Sequence, residues 1–220
     1  MHAFKRNHAL KTSSATIVDY DAGNIRSVQR ACAAVGIDAR VSSSPEALLT
    51  ADRLIFPGVG TAESAMQILR QRGLDEALLQ FFDTGKPLLG ICLGLQVVLD
   101  RTEEGQETGL GIVQGDCLKF QFADPQIKVP QIGWNQVELK NAHPMLRNIR
   151  SGDEFYFVHS YYARPANQEH VLAETTFGDV AFASIIGKQN LFATQFHLEK
   201  SGRLGLALLS SFASWDGAAC

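Results

Sequence analysis

The chain has 220 residues, 45% of them hydrophobic and 20% charged, and Lys+Arg 20 against Asp+Glu 23 leaves a formal charge of −3. A chain of this size buries roughly 70% of its unfolded surface, so disorder, collagen-like repeats and a disulfide scaffold are excluded. The slightly acidic balance, with a pI near 6.1, supplies no electrostatic reason to bind nucleic acid or an anionic membrane.

Residues 1–14 (MHAFKRNHALKTSS) are basic and polar and lack the apolar middle of a secretory signal. They read as a flexible extension ahead of one domain over 15–220. Thr16–Tyr20 is a β-rich run, followed by a turn at Asp21-Ala22-Gly23-Asn24. Ile25, Val28, Ala31, Cys32 and Val35 then recur at helical spacing until Gly36. A strand is expected over 38–42, a helical turn from Pro45, and a strand over Arg53–Phe56 broken at once by Pro57-Gly58-Val59-Gly60. Helices are expected from Ala62 to Arg72 and from Leu74 to Phe82, then an apolar strand over Pro87–Ile91. After Cys92 a helix is expected through Val97 to Asp100. This alternation predicts a doubly wound parallel sheet with helices on both faces.

The second half changes character. Strands are expected over 133–139, 154–163, 171–176, 181–186 and 191–196, with hairpin turns at Phe177-Gly178-Asp179 and Gly187-Lys188-Gln189. A helix over Ser201–Trp215 closes the chain. The fold class is α/β with antiparallel strands added late. No apolar run approaches the roughly 20 residues of a transmembrane helix.

Four cysteines stand at 32, 92, 117 and 220, with no C-x-x-C pair, so a zinc knuckle or dithiol redox motif is absent. Reduced thiols and a cytoplasmic location are the expectation, with no metal and no cofactor. Gly90-Ile91-Cys92-Leu93-Gly94 lies between an apolar strand and a helix, the arrangement of a nucleophile elbow. The start of a helix favours the thiolate form. Read alone, the same stretch also suits a buried cysteine with glycines for close packing. Cys32 and Cys117 read as core residues, and Cys220 as an exposed end.

A thiol needs a base, and Gln195-Phe196-His197-Leu198-Glu199 supplies one. Alternation along a strand would put His197 and Glu199 on one face, where the carboxylate takes the Nδ1 proton and leaves Nε2 for the thiol. Alone, this spacing also suits a chance surface pair. Pro57-Gly58-Val59-Gly60 falls at a strand's C-terminal end, where ligands bind open α/β sheets and glycine lets amides approach an oxyanion. No dinucleotide fingerprint and no phosphate-binding P-loop occur.

With Gly90–Gln96 (GICLGLQ), Pro57–Gly60 and His197-x-Glu199 in this order, the sequence resembles the class I glutamine amidotransferases. Within them it is most similar to the glutaminase subunits of imidazole glycerol phosphate synthase. Asp19–Asn24 (DYDAGN) with Ser27-Val28, Pro130–Asn135 (PQIGWN) and Phe155–Tyr162 (FYFVHSYY) carry that finer likeness, which spans about residues 15–215. The resemblance implies a flavodoxin-like three-layer sandwich around a largely parallel sheet. It implies Cys92 as nucleophile, His197 as base then acid, and Glu199 as orienting carboxylate. Gly58, Val59 and Leu93 would form the oxyanion hole. Gln96, Glu104 and the backbone of His159, Ser160 and Tyr161 would hold glutamine. Gln131, Trp134, Asn135 and Lys200 would face a cyclase subunit in a heterodimer, near where ammonia passes.

One position departs from the family pattern: Leu198 stands where proline is usual between the histidine and the glutamate. Rival readings are a paralogous amidotransferase serving another synthase (in surface-sugar modification, for example), a non-catalytic regulatory subunit, and a cysteine protease or α/β-hydrolase.

Overall fold

A computed structural model describes residues 13–21 and 23–218. The first half runs β1 (Ser13–Val18), α1 (Ile25–Ala34), β2 (Ile37–Ser42), α2 (Pro45–Thr50), β3 (Leu54–Gly58), α3 (Ala62–Gln71), α4 (Leu74–Asp83), β4 (Leu88–Cys92) and α5 (Leu93–Val97). The second half follows with β5 (Leu99–Thr102), β6 (Val113–Lys119), β7 (Gln131–Gln136), β8 (Glu138–Leu139), β9 (Glu154–His159), β10 (Tyr161–Pro165), β11 (Val171–Phe177), β12 (Val180–Lys188), β13 (Leu191–Thr194) and α6 (Gly202–Ser214). The main sheet has the order β2-β1-β3-β4-β13-β12-β10-β6-β5, with β11 joined to β12 and β8 to β11. Its β2-β1-β3-β4-β13 portion is parallel throughout, and the strands from β12 to β6 alternate in direction.

Every residue of β3 and β4 is buried, as expected of parallel strands covered on both faces. One face is covered by α1 and α6 through Val28, Cys32, Leu208, Leu209 and Phe212. The other is covered by α3 and α4 through Met66, Leu69, Leu78 and Phe81. Ser44 and Thr61 cap α2 and α3, accepting from the amides of Ala47 and Ser64. The layers are those of the expected three-layer sandwich. No helix among the described residues is long and apolar enough to cross a membrane.

Several boundaries differ from the sequence reading. Strand β1 starts at Ser13, so Ser13 and Ser14 leave the expected extension; residues 1–12 and Cys220 lie outside the described residues. Strand β3 is not broken at Pro57 but runs on to Gly58, which pairs with Cys92. The helix after Cys92 ends at Val97, and β5 follows in place of the helix expected to Asp100. The strand expected over 133–139 is two pieces, β7 and β8. The strand expected over 154–163 is also two: β9 pairs with β7 in a separate sheet, and β10 crosses at Ser160 into the main one. Strand β6 has no counterpart among the expected strands, and β13 stops at Thr194 rather than Phe196.

Candidate active site

Strands β3, β4 and β13 end side by side, with Gly58 opposite Cys92 and Thr194 opposite Ile91. Segments following three adjacent parallel strands therefore converge on one spot. Cys92 lies at the junction of β4 and α5 with φ 55° and ψ −104°, a conformation that costs a non-glycine residue about 1–3 kcal/mol. The flanking glycines make this turn possible. A Cβ on Gly94 would overlap the Phe56 carbonyl, and one on Gly90 would lie 2.8 Å from the Ala193 Cβ. The elbow expected from G-x-C-x-G is present.

His197 follows β13 and precedes a 3-10 turn over Leu198–Lys200. Its Nδ1 lies 2.7 Å from Glu199 Oε1, with both side chains almost fully buried. The pairing arises from this turn and not from the strand alternation expected from the sequence. The same Glu199 oxygen accepts a hydrogen bond from Asn24 Nδ2. His197 Nε2 is buried and makes no hydrogen bond among the described residues, and Cys92 and His197 line the same cavity. Burial disfavours a charged ring, but Cys92 and then Glu199 outweigh it and raise the imidazole to about 10. Such a ring holds a proton beside the sulfur and can pass it to a leaving group.

Leu198 is buried in the core, and its backbone carbonyl packs against Gly205. The turn is fixed by other contacts. His197 N–H donates to the Tyr156 carbonyl at 3.0 Å. The Ser201 hydroxyl accepts from the Tyr156 amide at 3.0 Å and donates to the His197 carbonyl at 2.6 Å. These bonds supply the rigidity that a proline would otherwise give. Leu198→Pro is therefore expected to keep activity within about threefold. It should lower stability by about 1–2 kcal/mol through lost apolar packing, read from denaturant midpoints.

A cavity of about 380 Å³ opens over Cys92 and His197, within the range of small-molecule sites. Val59, Gly60, Leu93, Gln96, Glu104, Ser160 and Tyr161 also line it. Gly58 lies beneath, where a side chain would collide with the Tyr20 hydroxyl, which donates to the Pro57 carbonyl at 3.0 Å. Gln96 Nε2 donates to the Tyr161 carbonyl at 2.9 Å and to Gln195 Oε1 at 3.1 Å. Glu104 accepts from the Ala62 amide at 2.7 Å, and burial raises its carboxyl above the usual range despite that bond. Cys32 and Cys117 are buried in the core; burial pushes the Cys32 thiol up to about 12 and raises Cys117 as well. Among the described residues, no group of three or more His, Cys, Asp or Glu side chains is placed to hold a metal ion.

The residues expected to face a partner divide. Trp134 is 55% exposed, and Lys200 lies on the surface with its Nζ 5.7 Å from the centre of the Tyr156 ring. Gln131 instead is buried, its side-chain amide 3.1 Å from His159 Nε2, and Asn135 Nδ2 donates to the Thr176 carbonyl at 2.9 Å. Pleating explains the split, since successive β7 side chains alternate and Ile132 rather than Gln131 shares the outer face with Trp134.

His159 donates from Nδ1 to the Tyr161 carbonyl at 2.7 Å, and burial pushes its imidazole down to about 4. Below pH 6.5 the unfolded chain takes up a proton here that the folded chain refuses until about pH 4. Stability is thus full above 6.5 and falls as the pH drops toward 4. His159 alone should cost about 2 kcal/mol between pH 7 and pH 5. His159→Phe should flatten the pH dependence of urea midpoints by that amount.

The chain matches the family model for class-I glutamine amidotransferases over residues 16–213. The chain belongs to the class-I glutamine amidotransferase family. Similar relatives include the imidazole glycerol phosphate synthase subunit HisH of Dehalococcoides mccartyi, 45% identical over 89% of this chain and 94% of that protein. The protein of that name from Chromobacterium violaceum is 42% identical over 91% of this chain and 97% of its own. The fold also resembles PurLQS from Thermotoga maritima, with TM-score 0.72, 16% identity, and 91% of this chain and 97% of that one covered. A solved glutamine amidotransferase gives TM-score 0.69 at 20% identity, covering 90% of this chain and 98% of its own.

Three residues of this amidotransferase chain take part in the site without a role that the sequence alone would assign them. Asn24 and Tyr20 lie in the Asp19–Asn24 motif, which reads only as a family mark. Gln195 stands two residues before His197. The i, i+2 spacing that draws attention to Glu199 also points at it.

Proposed function

We propose that this chain is the glutaminase subunit of an imidazole glycerol phosphate synthase, hydrolysing glutamine and passing ammonia to a cyclase partner for histidine biosynthesis. The observation that carries the reading is the buried Cys92, His197 and Glu199 constellation at the mouth of a cavity sized for an amino acid. The Cys92 thiolate attacks the side-chain amide carbon of glutamine, and the imidazolium of His197 gives its proton to the departing ammonia. The amides of Val59 and Leu93 receive the oxyanion, Gly58 letting the strand approach. Water, deprotonated by His197, then cleaves the glutamyl thioester to give glutamate. Glu199 holds the ring, and Gln96, Glu104 and the Ser160–Tyr161 backbone hold the amino-acid end of the substrate.

A partner surface is supported by the apolar side chains left in solvent. Of six large exposed ones among the described residues, Val59, Val129, Ile132 and Trp134 belong to the cavity-side segments. Trp134 packs edge-on against Tyr156 and Lys200 lies over the same ring, an aromatic and basic cluster of the sort that protein interfaces use. A cytoplasmic location follows from this role.

Complementation tests the proposal. The chain should restore growth without histidine to a bacterium that lacks its own glutaminase subunit but retains a cyclase with which the chain associates. Rescue should vanish with Cys92→Ala. Failure to rescue by a chain that is expressed and bound to that cyclase would point to a different synthase.

A further inference from the structure

Gln195 is fully buried beside the reacting sulfur and has no part in the mechanism described above. Its Nε2 lies 3.7 Å from Cys92 Sγ, and its Oε1 accepts from Gln96 Nε2 at 3.1 Å. The direction of this relay is fixed by its far end. The Tyr161 carbonyl can only accept, so the NH2 group of Gln96 must face it. The second hydrogen of that NH2 then points at Gln195, whose oxygen must turn toward it. The Gln195 NH2 is thereby left facing the sulfur. Gln195, one residue past the end of β13, is itself held, because its backbone N–H donates to the Ser184 carbonyl at 2.9 Å.

We infer that Gln195 is a positioning residue that ties the glutamine-binding amide of Gln96 to the Cys92 sulfur, holding the sulfur by an N–H···S hydrogen bond. The inference rests on the proposed glutaminase reading for its turnover effects, but not for its effects on the thiol. An amide donor on a charged sulfur is expected to change its reactivity about tenfold to a hundredfold. A bound substrate that pulls on Gln96 is felt at the nucleophile through two hydrogen bonds.

Two substitutions separate the ends of the relay. Gln195→Glu keeps an oxygen for Gln96 and removes the amide donor to sulfur. In the complex with the cyclase, kcat for glutamine should fall about 30-fold while KM stays within about twofold. Gln195→Met removes both ends and should raise KM as well. In the chain alone, alkylation of Cys92 by iodoacetamide should slow about tenfold in either variant. If neither variant folds, the unsubstituted chain labelled with 15N-glutamine still gives an answer. One buried side-chain amide resonance, assigned to Gln195 through its backbone, should shift when Cys92 is alkylated. Unchanged alkylation rates in folded variants, or an amide resonance indifferent to alkylation, would overturn the inference. Slowed alkylation in a chain that never hydrolyses glutamine would uphold it and overturn the glutaminase reading instead.

Discussion

Cys92→Ala is expected to lower glutamine-dependent synthesis by the reconstituted complex at least about 10⁴-fold while leaving synthesis from added ammonia intact. The reason is positional. Cys92 sits at φ 55° between a buried strand and a buried helical turn, and no other thiol among the described residues reaches the cavity. A glutamine-like electrophile such as a diazo-ketone analogue should label Cys92 and leave Cys32 and Cys117 unmodified, because those two thiols are buried and held protonated. Mass spectrometry of the digested chain reads this directly. Cys92→Gly should be as inactive as the alanine variant but more stable, by about 1 kcal/mol, because glycine relaxes the strained backbone. Equal labelling of Cys32, or surviving glutamine use by Cys92→Ala, would contradict the assignment.

His197→Asn should cost about 10³-fold to 10⁴-fold in glutamine-dependent turnover, the share usually supplied by proton transfer in such a site. Asparagine is the better choice than alanine, because Glu199 is buried and alanine would leave its carboxylate with Asn24 as the one remaining donor named here. Glu199→Gln should be milder, about 10-fold to 100-fold, since the carboxylate orients the ring and never carries the proton. Steady-state rates of glutamate formation with the partner present distinguish the two. A Glu199→Gln loss as large as that of His197→Asn would mean that the carboxylate does more than orient.

Much of this arrangement is legible in the sequence, for physical reasons that also mark the limits. Parallel strands buried on both faces read as apolar runs, so Leu54–Phe56 and Leu88–Ile91 stand out with the glycines that punctuate them. The same uniform burial hides the end of α5. All of Leu93–Val97 is buried, and the apolar run continues through Val98 and Leu99, so no breaker marks where the helix ends and β5 begins. The passage of β9 into β10 at Ser160 is invisible because a strand changing sheets needs no breaker residue. Pro57 reads as a strand end, yet it sits in β3 with its carbonyl accepting from Tyr20. In the site, Cys92 and His197-x-Glu199 declare themselves by local spacing. Asn24 and Glu199 are 175 positions apart, and Gln96 and Gln195 are 99 apart. Contacts of that span exist only once the sheet has formed.

In the proposed function, glutamine hydrolysis is coupled to a cyclase. Pro57 is anchored by Tyr20, but Val59 and Gly60 lie beyond the last paired residue of β3, with Gly60 at φ 99°. An oxyanion amide on such a segment can turn away, at a cost of about 3–4 kcal/mol in the barrier per lost donor. A partner seated on Trp134 and Lys200, with its nucleotide ligand bound, would favour the competent arrangement. The most direct measurement is the rate of glutamate release from glutamine by the purified chain, alone and then with the cyclase of imidazole glycerol phosphate synthase and its ligand. A rise of at least about 100-fold is expected on adding both. Full-speed hydrolysis by the chain alone, unchanged by the partner, would contradict this coupling.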